Sequence, residues 1–516
     1  MIFSITDKEG DGLDKWYYMG IDIGTYESKG MLINQDGECL GTHSCPHIME
    51  TPKPGFAEHD AEQVWWADFC AISNHLIEAA RIDPGDIRGV GCSTIGPCCL
   101  PVDQNCNPLR KAILYGVDIR AGKEIEYLNQ KLGEDYVLAK YGNPITSQSI
   151  GPKILWLKNN EPEIYRKAAK FITGATYLVA KLTGNYVVDN YTAAYYTPMY
   201  DLEKCDWDYE NLAEYCRPDQ MASCRWSDEI VGGVTEKAAR ETGLAPGTPV
   251  ITGTADASAE AVGVGVFDPG DMMLMFGSSI YIIHIVSKLT TDKRFWAGPY
   301  LFKGTYMVGA GMSTAGTLTR WYRDNLAQDL IAKAEREGAN VYDLMMRDMD
   351  NIPAGSDGLI VLPYFSGERT PINDPKARGV IFGLTLLHTK EHIYRACLEG
   401  VGYGIAQHFD GFKEMGMNTR KVVAVGGGTR NPKWLQIVSD ICGRELYVGM
   451  AYGAAFGDAL LAALGTGYFK STEDICKLIN FTNKVLPVPD HTTQYAPYKK
   501  LYAELYRQTK NIMHEI

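Results

Sequence analysis

No stretch of this 516-residue chain approaches the ~20 consecutive apolar residues that a membrane-spanning helix needs, so no membrane partner is expected. The first segment, Met1 to Trp16, is acidic and contains glycine, and it lacks the apolar run of a signal peptide. These two absences lead us to expect a soluble, cytoplasmic protein. Positive charge is also scarce. A net charge of −13 excludes a generic nucleic-acid surface, which needs a basic patch. It leaves room for a phosphate-bearing ligand, which backbone amides and a metal ion can hold without excess lysine or arginine. The 13 cysteines are scattered and form no CxxC pair, so the short ligand spacings of structural zinc are missing. Cys98 and Cys99 read as small buried hydrophobes. There is no low-complexity tract, and Gly426-Gly427-Gly428 lacks both the Lys-Ser/Thr of a Walker loop and the spacing of GxGxxG.

What is present is an average globular composition, 45% apolar and 22% charged, in a chain long enough for two domains. Tyr17 to Thr25 reads as a strand ending in Asp22-Ile23-Gly24-Thr25. Gly30 to Ile33 reads as a second strand, and Asp36-Gly37 as the turn into a third. A helix follows over Ala61–Ala80, a short buried strand over Ile87–Cys92, and a mostly helical stretch from Trp156 to Leu182. Near residue 250 the pattern restarts. A strand runs from Pro249 into Gly253-Thr254-Ala255-Asp256 and an Ala-rich helix start. Asp271–Phe276 and Ile280–Ile283 then flank Gly277-Ser278-Ser279, repeating the strand, small polar turn, strand order of the N-terminus. Val422–Val425 opens through the three glycines into a helix over Pro432–Cys442. Alternating short buried strands and amphipathic helices argue an α/β fold.

Two carboxylates stand out. Asp22 precedes Gly24-Thr25, where glycine permits close approach of a phosphate, and such an aspartate can hold magnesium through water or simply cap a hairpin. Asp256 stands where a helix should begin; it is either an N-cap or a base facing a cleft. Gly426 to Gly428 either relieves crowding or makes a platform for adenosine.

The order Asp-x-Gly-Thr, Gly-Thr-Ala-Asp, Gly-Ser-Ser, Gly-Gly-Gly-Thr resembles the FGGY carbohydrate kinases, and xylulose kinase-like members most. Further matches are Pro54-Gly55-Phe56-Ala57-Glu58-His59-Asp60, Ile113 through Asp118-Ile119-Arg120, Lys153–Leu157 and Leu182-Thr183-Gly184. Gly367-Glu368-Arg369-Thr370-Pro371 and the run from Gly379 to Glu399 continue it, with Cys397 where a small aliphatic is usual. The resemblance implies two actin-like (ribonuclease H-like) α/β domains flanking an ATP and sugar cleft. It suggests an N-terminal extension over 1–16, domains over 17–262 and 263–480, and a partly helical tail over 481–516.

The resemblance further implies roles. Asp256 is the catalytic base and touches the sugar, and it is expected to be ionised at neutral pH because an ordinary Asp pKa is about 4. Asp22 orients Mg2+. Thr25, Gly277 and Ser278 cradle the phosphates of ATP. Gly316, Arg320, Gly427 and Asn431 flank the nucleotide, Arg320 replacing a residue that is often neutral. The expected reaction is transfer of the γ-phosphate of ATP to a hydroxyl of a small sugar, with a homodimer as the assembly. Other ketoses, polyols and aldonates (ribulose, erythrulose or erythritol, glycerol, gluconate) are alternative acceptors. An actin- or chaperone-like ATPase and a non-catalytic sugar sensor are alternative classes. One departure bears on substrate. Gly96 and Pro97 stand where xylulose kinases carry a Met-His pair that meets the sugar. Thr94, Asp118 and Arg120 are therefore expected to supply the missing contact, and a pentulose handled with relaxed selectivity is the expected substrate.

Overall fold

In the computed structural model, which describes residues 15–349, 351–450 and 452–516, two mixed sheets lie on either side of a pair of helices. Residues 1–14 of the expected N-terminal extension fall outside the described residues. The first sheet runs Ile230–Gly233, Pro249–Ile251, Ile87–Thr94, Tyr17–Ile23, Glu27–Asn34, Cys39–Pro46. The second runs Trp296–Pro299, Tyr306–Met312, Ile280–Val286, Asp271–Phe276, Lys421–Val425, Leu446–Gly449, Phe481–Val485. In each sheet an antiparallel hairpin abuts a parallel strand from far along the chain. Tyr17–Ile23 pairs Glu27–Asn34 and Ile87–Thr94. Asp271–Phe276 pairs Ile280–Val286 and Lys421–Val425.

Strand alternation sorts the side chains into layers. Tyr17, Met19, Ile21 and Ile23 enter a core with Trp65, Phe69, Ile72 and Leu76, whereas Tyr18 enters a core with Val262, Phe456 and Ala459. Asp22 shares the parity of Tyr18 and is thereby aimed at the middle of the molecule. The second sheet repeats the arrangement. Met272, Leu274 and Phe276 join the outer core with Tyr394 and Tyr403, and Met273 joins the central one.

The central layer holds the helices Asp256–Gly263 and Ala454–Gly465, which pack together while the latter also covers Tyr17–Ile23 and Ile87–Thr94. Their approach requires glycine. A Cβ at Gly20 would meet Ala455 O at 1.9 Å, and one at Gly457 would meet Ala259 O at 1.8 Å.

One sequence reading gains a detail and another needs correction. The stretch from Trp156 to Leu182 is mostly helical as expected and its last helix ends at Thr183, but a short strand interrupts it. Helices Ile150–Asn160 and Pro162–Lys167 are followed by the strand Lys170–Ile172, which pairs with Leu100–Val102, and only then by Gly174–Thr183. Residues 481–516 do not behave as a tail. Phe481–Val485 is the edge strand of the second sheet, and the helix Pro489–Met513 buries Tyr495 and Tyr502 completely in that sheet's core. Among the described residues no helix is long and apolar enough to cross a membrane.

Candidate active site

The two hairpin turns expected from the sequence face the same space. Each is closed by one short backbone bond, Gly24 N to Glu27 O at 3.1 Å and Gly277 N to Ser279 O at 3.0 Å. The first turn is anchored by two histidines. His47 Nε2 lies 3.0 Å from Gly24 O, and His59 Nε2 lies 3.1 Å from Thr25 O. Burial pushes His59 down to about 4, so the ring is neutral at physiological pH. Its Nδ1 accepts from Trp65 Nε1, which leaves the proton on Nε2 to donate to Thr25 O. The second turn carries a helix on it. Ala315 N and Thr317 N both donate to Ser278 O, and Gly316 N donates to Gly277 O. A Cβ at Gly316 would meet Gly277 O at 2.6 Å, so glycine is what lets Gly316–Leu326 start there.

Two cavities meet at Gly277-Ser278. One, of about 610 Å³, is lined by Gly316, Arg320, Gly427 and Asn431, the residues the sequence assigned to the nucleotide, with Phe276 and Trp434. Asn431 Oδ1 caps Trp434 N at 3.0 Å, which begins the helix Pro432–Cys442 and fixes the cavity floor. Trp434 Nε1 is buried without a partner. The other cavity, of about 420 Å³, is lined by Thr25, Gly96, Pro97, Asp256, Gly277 and Ser278, with an aromatic wall of Tyr115, Tyr191, Tyr195, Tyr281 and Trp296 and with Gln148 and Arg369.

Asp256 is the first residue of its helix, not its cap, a position held by Ala255. Its Oδ1 accepts from Ala257 N at 2.7 Å. Burial raises its pKa to about 6, above the ordinary value expected from the sequence, yet it stays mainly ionised at neutral pH. Burial likewise raises Glu260 to about 7, with help from the charge of Asp256. Asp22 lines neither cavity. It lies beneath the turn, with its pKa pushed well up by burial and then by Asp256. Ser93 Oγ is 3.0 Å from Asp22 Oδ1 and 2.6 Å from Asp458 Oδ2. One hydroxyl hydrogen serves one carboxylate, so a proton on a carboxyl completes the chain. Burial raises both Asp22 and Asp458 well above the usual carboxylate range, so the pair shares that proton.

This oxygen-rich neighbourhood suits magnesium. The ion takes one or two carboxylates plus phosphate oxygens and water, and a divalent charge would relieve the repulsion between Asp22 and Asp256. No group of three or more His, Cys, Asp or Glu side chains able to cage a metal occurs among the described residues.

Three expected substrate contacts do not reach the cavity. Asp118 and Arg120 are buried against each other, Arg120 Nη2 lying 2.7 Å from Asp118 Oδ2 and 2.8 Å from Glu58 Oε1. Asp118 Oδ2 also accepts from Ala57 N at 2.7 Å. The pair thus clamps the Pro54–Glu58 segment, and the guanidinium stacks 4.1 Å from the Phe56 ring. Thr94 Oγ1 turns to Ile95 O, and its side chain packs against Gly174. Gly96 and Pro97 do line the cavity, as expected. The side chains that the sequence reading missed are Gln148, Tyr191, Tyr195, Tyr281, Trp296 and, as a member of the site, Arg369. Tyr281 Oη lies 3.1 Å from Tyr191 Oη and 3.3 Å from Tyr195 Oη, joining the two halves of the molecule. Tyr115, within the Ile113 to Arg120 motif, also reaches the site, its hydroxyl lying 3.2 Å from Thr25 Oγ1.

Two actin-like domains with paired small-residue turns over a shared cleft define an ATPase-type fold, and family membership makes it an ATP-dependent phosphotransferase acting on an alcohol group. Comparison with known proteins makes the assignment specific. The N-terminal domain of the FGGY family of carbohydrate kinases matches residues 17–263, and the C-terminal domain matches 272–466. The chain belongs to the FGGY family of carbohydrate kinases. It is 30% identical to a gluconokinase of Bacillus subtilis (strain 168), over 96% of this chain and 96% of the relative. It is also 30% identical to a xylulose kinase of Escherichia coli (strain K12), over 96% and 100%. The crystal structure of xylulose kinase from Rhodospirillum rubrum matches with a TM-score of 0.90 at 29% identity, covering 96% of this chain and 100% of that one.

Proposed function

We propose that this cytoplasmic enzyme transfers the γ-phosphoryl group of ATP, with Mg2+, to a hydroxyl of a small ketose, a pentulose such as xylulose. The observation that carries the reading is the junction at Gly277-Ser278. The cavity holding Asp256 and the larger cavity share that turn, so a phosphoryl group leaving the nucleotide is delivered beside the carboxylate. Asp256 takes the proton of the attacking hydroxyl as its oxygen bonds to phosphorus and the bond to ADP breaks. Asp22 would hold a magnesium ion, which would neutralise charge on the phosphates. Thr25 and Ser278, whose amides donate to no acceptor among the described residues, supply donors from the two turns. Gly316, Arg320, Gly427 and Asn431 enclose the adenosine end. The aromatic wall takes the apolar edge of the sugar, and its hydroxyls replace the contact absent at Gly96-Pro97.

The test is ADP release in a coupled assay with ATP and magnesium across pentuloses, hexuloses, polyols and aldonates. Turnover that requires a sugar is expected. ADP release indifferent to every sugar would point to an actin-like ATPase instead. We also propose a homodimer, supported by resemblance to the family; light scattering that gives a monomer at micromolar concentration overturns it.

A further inference from the structure

Three consecutive carbonyls of the first turn are tied from behind by two histidines, and one of these, His47, lies outside every motif that carries the family resemblance. His47 directly follows the strand Cys39–Pro46 and reaches the turn twice. Its backbone N–H donates to Tyr26 O at 3.0 Å, and its Nε2 lies 3.0 Å from Gly24 O. His59 Nε2 holds the carbonyl between them, Thr25 O, at 3.1 Å. The two rings meet edge to face with 5.1 Å between centroids. Neither ring lines a cavity, whereas Thr25 lines the smaller one.

Hydrogen bonding gives the two rings different charge. Ser28 Oγ donates its hydrogen to Asp68 Oδ2 at 2.7 Å, so none is left for His47 Nδ1, 3.4 Å away. That nitrogen lies 2.9 Å from the same Asp68 oxygen and must itself donate to it. Nε2 faces a carbonyl, which only accepts. Both nitrogens of His47 therefore carry hydrogen, and the ring is an imidazolium enclosed against the Asp68 carboxylate. The other carboxylates nearby are already paired, Glu27 with Lys29 and Glu50 with Lys111. His59 takes the Trp65 indole N–H on Nδ1, and burial and then the charge of His47 push it down to about 4. It stays neutral and donates from Nε2 alone.

We propose that His47 and His59 are positioning residues, which brace the Gly24-Thr25-Tyr26 backbone as a nest for the terminal phosphate of the nucleotide. This rests on the kinase reading above. The peptide bonds of the turn are trans, so each C=O and the N–H that follows it point opposite ways. Carbonyls held on the histidine side leave the amides of Thr25 and Tyr26 on the other, and neither amide donates to an acceptor among the described residues. Successive free amides on one side of a turn bind anions. A donor on each carbonyl also polarises its peptide unit and strengthens the N–H at the far end, most at Gly24, where the donor is charged. Thr25 lines the cavity that holds Asp256 and not the larger one, so the nest meets the phosphate nearest the sugar. The histidines act through the backbone and touch no reacting atom.

The experiment measures by calorimetry how wild type and variants bind magnesium adenylyl imidodiphosphate, which carries the terminal phosphate, and magnesium ADP, which lacks it. The KM for the sugar that supports turnover is read alongside. His47→Ala and His59→Ala are expected to weaken the imidodiphosphate on the order of tenfold, the scale of a hydrogen bond to a charged group, while ADP and the sugar KM change by about twofold or less. His59→Gln should restore binding, because its amide N–H stands in for Nε2–H. His47→Gln donates without charge and should fall between. Equal losses for the two nucleotides overturn the proposal, since a merely structural histidine loosens the whole site. Unchanged affinities overturn it as well, and so does a rise in the sugar KM with the imidodiphosphate unaffected. If the alanine variants do not fold, Asp68→Asn is the test. It keeps both rings and removes the carboxylate that holds the second hydrogen of His47, so the imidodiphosphate should weaken about threefold with ADP unmoved. No difference between Asp68→Asn and wild type overturns the brace and leaves the kinase standing. Binding of neither nucleotide by the wild type overturns the kinase reading itself, a result distinct from each of these.

Discussion

At the scale of single residues, the proposed role of Asp256 as the base can be tested in two ways. Asp256→Asn keeps the shape and the hydrogen bond from Ala257 N, but the amide cannot take a proton. Turnover should drop ~10²–10⁴-fold with sugar binding preserved, as general-base losses usually run. Unchanged steady-state turnover would reduce the residue to a helix-start carboxylate. The second test is pH. Because burial raises Asp256 to about 6, the base is protonated and inactive below that value. The kcat/KM for sugar should therefore climb as pH rises through about 6 and level off above it. Glu260 and Asp22 lie close enough to shift the midpoint, so the apparent value belongs to the cluster. A profile flat from pH 5 to 8 contradicts the assignment. Both aspartates were legible because each sits beside a glycine turn in one short stretch of sequence. Arg369 and the tyrosines were not, since Tyr191, Tyr281, Trp296 and Arg369 come from separate segments that only folding brings together. Asp118 and Arg120 misled for a physical reason. The Asp-x-Arg spacing that could present a carboxylate to a sugar also lets Arg120 close back on Asp118, its backbone N–H reaching Oδ1 at 3.0 Å.

At the scale of elements, the strands around Gly24 and Gly277 were readable because apolar runs broken by small polar turns have few other solutions. Helical periodicity held over most of Trp156 to Leu182 but hid the short strand Lys170–Ile172 within it. Helix Gly174–Thr183 is buried on nearly all sides, so its apolar pattern does not differ from that of the strand before it. Contact between helices Asp256–Gly263 and Ala454–Gly465 left no periodic signal at all, only a glycine. Gly457→Ala would force its Cβ into Ala259 O, a backbone atom that cannot swing aside. The expected loss is ~1–3 kcal/mol, the usual cost of overpacking, read as a lower denaturant midpoint. Gly122→Ala is the control, because a Cβ there meets nothing within 4 Å. Equal midpoints for the two variants would show that the helices part easily.

For the whole molecule, the two sheets are tied through these central helices at the base of the cleft and through tyrosine hydroxyls at its wall. Tyr191 and Tyr195 follow the strand Val187–Asp189 of the first half, whereas Tyr281 lies on Ile280–Val286 in the second sheet. A sugar placed in this cavity, as proposed, would touch both halves at once. Domain approach around a bound sugar excludes water that could otherwise receive the phosphoryl group. Tyr281→Phe tests whether the wall takes part. It removes the hydroxyl that lies 3.1 Å from Tyr191 Oη and 3.3 Å from Tyr195 Oη while keeping the ring beside Trp296. Each lost hydrogen bond is worth ~0.5–1.5 kcal/mol, so the KM for sugar should rise on the order of tenfold. The KM for ATP should hardly move, because Tyr281 lines the smaller cavity and not the larger. ATP hydrolysis without sugar should also rise relative to sugar phosphorylation, since a loosened wall admits water. If both KM values rise together, the tyrosines set the closure of the whole cleft. If neither moves, the hydroxyl cluster is structural and sugar is held elsewhere.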